Sequence, residues 1–102
     1  LEDFWPISDR IYALMKLFWL REFPDTDRTA DYVPDIWFDP ANADTEGPIA
    51  GLYLDRDKYD ELLGHYYDIR GYDARGVPTR ATLENLGLTA EAEAAEPFAT
   101  IT

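Results

Sequence analysis

The chain has 102 residues, enough for one small domain that buries only about 60–70% of the surface its unfolded form exposes. Nine basic against 21 acidic residues leave a net charge of −12, which repels phosphate backbones and anionic bilayers, so no nucleic acid and no membrane is expected as a partner. With no cysteine, disulfides, thiolate catalysis and cysteine-ligated zinc or iron–sulfur centres are excluded within the chain. No apolar run approaches the ~18 residues of a membrane span and no signal segment opens the sequence, which makes a cytoplasmic setting the expectation. Leu1 in place of an initiator Met points to further sequence upstream.

In chain order, residues 1–7 are apolar and aromatic, and Pro6 is expected to interrupt any helix there. Ser8 is then the expected cap of a helix from Asp9 to about Glu22. One face carries Ile11, Leu14, Met15 and Phe18, and the other adds Tyr12, Leu17, Trp19 and Leu20. A helix apolar nearly all round belongs inside a larger body, so residues 1–22 are expected to pack on protein outside this chain or, less favoured, on a second copy. Residues 23–54 carry Pro24, Pro34, Pro40 and Pro48 and no sustained period. Tyr32, Val33, Ile36, Trp37 and Phe38 are too apolar for a disordered linker, which predicts an irregular segment wrapping over a scaffold, with a short extended piece at Ile49–Leu54.

Residues 55–88 form a predicted helix-turn-helix. Asp55 caps the first helix, Tyr59, Leu62, Leu63 and Tyr66 share its apolar face, and Arg70 and Gly71 end it. Asp73, Gly76 and Pro78 make the turn, Thr79 caps the second helix, and Gly87 stops it with Leu88 touching Leu83. Residues 89–102 read as an acidic tail or one to two helical turns capped by Thr89, ended by Pro97.

Candidate chemistry is sparse. Asp25, Asp27 and Asp31 fit the first, third and seventh positions of a calcium loop, but Ala30 and Ile36 stand where Gly and Glu are needed, so solvated loop aspartates are favoured. Glu61 and His65 lie four apart and suit a helix ion pair better than a metal site that needs three or four ligands. Tyr66 and Tyr67 suit core packing better than a pocket lining. Gly64 inside a helix costs about 1 kcal/mol relative to Ala and hints at a close neighbouring backbone. Arg70, Arg75 and Arg80 could grip an anion, though local Asp and Glu are the expected partners. No catalytic, cofactor-binding or metal-binding residue is assigned.

The string YDELLGHYYDIRGYDARGVPTRATLENLGL resembles the C-terminal end of the tungsten-containing aldehyde ferredoxin oxidoreductase family. Tyr66, Tyr67, Arg70, Gly71, Asp73, Gly76, Pro78, Thr79, Leu86, Gly87 and Leu88 fit its pattern, with Tyr72 where Trp is commoner. Asp9, Arg10, Ile11, Phe18, Arg21 and Glu22 align with an earlier helix of the family, while Trp19 replaces its Asn and Phe23 its Gly. The resemblance implies a mainly α chain: the C-terminal helical part of a larger multi-domain enzyme, with a long Pro-rich wrapping loop. It implies tungsten on two pterins and a [4Fe–4S] cluster in the parent enzyme, oxidation of aldehydes to carboxylates, and electrons passed to ferredoxin or an iron–sulfur subunit. The cysteines, the pterin motif and the acid–base groups of that chemistry are then expected upstream. Related tungsten enzymes include a benzoyl-coenzyme A reductase subunit. From another class, a self-standing acidic helical module binding a protein through the Ile11–Leu20 face remains the alternative.

Overall fold

A computed structural model describes residues 2–102, and Leu1, the first of the apolar run 1–7, lies outside the described residues. Four α-helices account for most of the regular structure: α1 (Phe4–Glu22), α2 (Arg56–Arg70), α3 (Arg80–Asn85) and α4 (Thr89–Ala95). The expected mainly α architecture holds, and no strand occurs among the described residues.

Helix α1 starts five residues before the expected Asp9, with Asp3 at the cap position and Ser8 inside the helix. Pro6 does not interrupt it. It sits in the first turn, where backbone N–H groups have no intrahelical acceptor and the missing donor costs nothing. The far end stops at Phe23, whose N–H donates to the Trp19 carbonyl at 2.8 Å, just before Pro24.

Three short 3₁₀ turns follow, at Arg28–Asp31, Asp35–Phe38 and Pro40–Asn42. Asp27 and Asp39 cap two of them by accepting from the Thr29 and Ala41 amides at 2.8 and 2.9 Å. The extended piece expected at Ile49–Leu54 begins instead as a turn, in which the Leu52 N–H donates to the Ile49 carbonyl at 3.0 Å.

The helix-turn-helix forms with its predicted punctuation. Asp55 accepts from the Lys58 amide at 3.0 Å. Gly71 ends α2 at φ +71°, and the Tyr72 N–H reaches back to the Tyr67 carbonyl at 2.8 Å. Asp73 accepts from the Arg75 and Val77 amides, and Thr79 caps α3. At the end of α3 the Leu88 N–H bonds the Leu83 carbonyl and the Gly87 N–H bonds the Glu84 carbonyl, the double bond pattern of a Schellman stop.

One face prediction needs correcting. Leu62 and Tyr66 are exposed, and the inward row of α2 is Tyr59, Leu63 and Tyr67, of which Tyr67 is fully buried. The apolar stripe 59–66 is wider than the single flank the rest of this chain covers.

The core is formed by Ala13 and Leu17 of α1, Leu83 and Leu88 around α3, and Ala92 and Ala95 of α4, with Leu14, Leu86, Phe98 and Ile101 against it. Half of residues 89–102 is therefore a packed helix. Ala92 and Ala95 face inward, Ala90, Ala94 and the glutamates face outward, and Leu88 rather than Thr89 occupies the cap position.

The chain is flat, 53 × 35 × 19 Å, with a radius of gyration of 16.8 Å, against about 13 Å for a compact domain of this length. Its accessible surface of 7333 Å² exceeds the roughly 5,900 Å² typical of a self-contained protein of this mass.

Candidate docking face and polar anchor

Helix α1 has two apolar sides. Ala13, Leu17 and Leu20 are buried in this chain, whereas Phe4, Trp5, Ile7, Ile11, Tyr12, Met15 and Phe18 are all more than half exposed, and Trp19 nearly so. At 100° per residue the exposed set spans the side opposite the buried one. The aromatic groups are fixed in place: Trp19 lies against Phe23 with ring centroids 4.6 Å apart, and its indole N–H donates to Thr26 Oγ1 at 3.2 Å. Single exposed apolar residues are ordinary, but a contiguous helix face of this size marks an interaction surface.

A polar anchor ties this helix to the rest. Asp31, from the first 3₁₀ turn, accepts the Tyr67 hydroxyl and lies 3.5 Å from Lys16 Nζ, joining α1, the loop and α2 at one carboxylate. Burial first, then the hydrogen bond to Asp31, push the Tyr67 phenol well above its usual pKa, in keeping with its hydroxyl donating to that carboxylate. Beside it Arg28 holds the Asp60 carbonyl at 2.8 Å and the Ala74 carbonyl at 3.2 Å, with its guanidinium over the Tyr67 ring. Asp60 takes the Tyr32 hydroxyl, and Tyr32, Phe38 and Tyr59 pack edge to face under Arg56. None of these partners is legible locally, since Asp31 and Tyr67 stand 36 residues apart.

The candidates singled out from the sequence fall into structural roles. Asp27 is a cap and Asp31 an anchor, so the calcium-loop spacing does not converge. His65 Nε2 and Glu61 Oε1 are 3.9 Å apart on an exposed helix surface. Arg70, Arg75 and Arg80 do not converge on an anion; each pairs with a carboxylate, Asp9, Asp73 and Glu96 respectively. Arg70 also sits over the Tyr12 ring at 5.2 Å and within 5.9 Å of Tyr66 and Tyr72. Nothing crowds Gly64 from within the chain: the nearest atom to a Cβ there is Arg28 Nη2 at 3.9 Å, so the expected close backbone is not among the described residues.

Among the described residues no group of three or more His, Asp or Glu could hold a metal ion, and with no cysteine the chain offers no thiolate for an iron–sulfur cluster. No described helix is long and apolar enough to cross a membrane.

A family model described as aldehyde ferredoxin oxidoreductase, domains 2 & 3, matches residues 1–88. The chain belongs to this family. In Pyrococcus furiosus (strain ATCC 43587 / DSM 3638 / JCM 8422 / Vc1), the aliphatic sulfonate oxidoreductase, WOR-like subunit, is 31% identical over 65 residues, 54% of this chain and 10% of that protein. The chain thus spans about a tenth of that relative's length. The family match ends at Leu88, so α4 lies beyond it. Within the match, the residues that carry the aldehyde ferredoxin oxidoreductase likeness fix backbone: Gly71 and Gly87 end helices, Asp73 and Gly76 shape the turn, and Thr79 caps α3. Tyr72 stacks on Tyr67 with centroids 6.5 Å apart.

Proposed function

We propose that this chain is the C-terminal structural part of an aldehyde ferredoxin oxidoreductase-like tungsten–pterin enzyme of the cytoplasm. That enzyme oxidises an aldehyde to a carboxylate and passes the electrons to ferredoxin or an iron–sulfur subunit. The tungsten bis-pterin and the [4Fe–4S] cluster supply the redox chemistry from the rest of the polypeptide. The residues of this chain close a helical domain over that body. The observation that carries the reading is α1, whose inward side packs on α4 while its outward side leaves Phe4, Trp5, Ile7, Ile11, Met15 and Phe18 more than half exposed. Burying each such side chain contributes roughly 1.5–3 kcal/mol, so the outward face supports a large body seated on it. Covered in this way, α1 excludes water from one side of the buried site, which strengthens the electrostatic interactions there. The alternative within the same chemistry is the tail of a related tungsten enzyme such as a benzoyl-coenzyme A reductase subunit, and the sulfonate oxidoreductase similarity widens the candidate substrates beyond aldehydes.

Elemental analysis of the intact protein carrying this chain tests the reading. Tungsten and iron should co-purify with it in fixed proportion. Their absence from a folded, full-length preparation overturns the assignment and favours the self-standing interaction module.

A further inference from the structure

A second apolar surface lies in the loop from Ile36 to Leu54. The Leu54 N–H donates to the Trp37 carbonyl at 3.0 Å and closes the loop at its base. Within it the Gly51 N–H donates to the Asp44 carbonyl at 2.8 Å, with Gly51 at φ +76°, where a side chain would be strained. Backbone hydrogen bonds thus set the loop's shape without help from its large side chains. Phe38 turns inward, but Ile36, Trp37, Ile49, Leu52 and Tyr53 remain more than half exposed around an open hollow of about 770 Å³. Asp39 and Asp44 line the same hollow. No Lys or Arg occurs between Arg28 and Arg56, and Arg56 is taken by Asp35 at 3.0 Å. Among the described residues the Asp44 side chain has no ion-pair or hydrogen-bond partner.

We propose that this hollow seats an apolar segment bearing lysine or arginine, supplied by the rest of the same polypeptide. The inference rests on reading the chain as one part of a larger enzyme. Charge selects the occupant: an apolar floor flanked by carboxylates without local cations favours a basic segment and disfavours an acidic or neutral one. The flat shape selects the source. Its surface exceeds that of a self-contained protein of this mass, and the chain spans a tenth of its sulfonate-oxidoreductase relative, which leaves most of such a polypeptide to supply the cover.

Zero-length coupling with a water-soluble carbodiimide, applied to the intact protein and followed by peptide mapping, tests the seat. A link from Asp39 or Asp44 to a lysine elsewhere in the same polypeptide is expected. Asp44→Lys should abolish the Asp44 link and speed amide exchange across residues 36–54 by roughly three- to tenfold. Trp37→Ala should speed it likewise, while Asp44→Asn should have the smaller effect. An arginine contact gives the same acceleration without a link and also supports the seat. A link to a different polypeptide overturns it, as does the absence of a link together with unchanged exchange in Asp44→Lys. Tungsten and iron assays on the same preparation separate the two readings. Metal without link or acceleration removes the seat alone, and a link without metal removes the enzyme assignment alone.

Discussion

Residues 55–88 carry 13 apolar residues in 34 and α1 carries 12 in 19, and the two regions reach opposite ends. In the helix-turn-helix each helix is capped by Asp55 or Thr79 and stopped at Gly71 or Gly87, and Leu83 and Leu88 meet with no exposure. In α1 the cap residue Asp3 makes no side-chain hydrogen bond, and aromatic and aliphatic groups point to solvent. Short-range geometry sets the caps and stops of the first region. The second is complete only with something laid over it. The difference separates what a local sequence can finish from what it can only prepare.

The largest test of that contrast is the 102-residue chain expressed alone. It should bind dyes that report exposed apolar surface and unfold over a broad range. A sharp, monomeric, cooperative transition without dye binding would break the contrast.

Next come paired truncations measured by denaturation in the intact protein and in the isolated chain. Leu88→Ala should cost about 2–5 kcal/mol wherever the core forms. Phe18→Ala should cost a comparable amount in the intact protein and almost nothing in the isolated chain, where that ring is already wet.

Gly71→Ala should cost about 1–3 kcal/mol, because a Cβ at φ +71° is strained and would overlap Thr82 Oγ1.

A smaller effect, about 1–2 kcal/mol at neutral pH, is expected for Asp73→Asn. Burial pushes the Asp73 carboxyl up, but hydrogen bonds from the Arg75 guanidinium and the Val77 and Arg75 amides outweigh it and hold the group below the usual carboxylate range. A depressed folded pKa means the contribution is complete above the unfolded carboxylate pKa and is lost as pH falls through the folded one. The Tm gap between wild type and Asp73→Asn should therefore be constant near neutrality and close below about pH 4.

The smallest effect sharpens the comparison most. Gly64→Ala should stabilise the isolated chain by up to about 1 kcal/mol, since no atom crowds the position. In the intact protein the sign should reverse where the covering body brings its backbone against α2.

How much was legible follows the range of each interaction. Asp55, Gly71, Thr79 and Gly87 act on backbone groups within a few residues, so their chemistry shows in the string itself. Pro6 misled because a proline's effect depends on whether its missing N–H had an acceptor, and the first helical turn has none. The inward row of α2 was displaced from Tyr66 to Tyr67 because two apolar stripes compete, and only the position of Asp31 selects between them. The Ala/Glu stretch after Leu88 reads as helix or as tail from its sequence. Seven residues hold a helix poorly on their own, and contact with Ala13 and Leu17 decides it.

By itself the sequence determined the helical class, the turn chemistry of residues 55–88, the family likeness and the presence of more apolar surface on α1 than this length can hide. Only the tertiary structure decided which side of α1 stays open, that Asp31 joins three elements at one carboxylate, and that α4 closes the small core. The first set depends on hydrogen bonds and side-chain spacing within a turn or two of chain. The second depends on groups brought together from dozens of residues apart, where no local pattern records the choice.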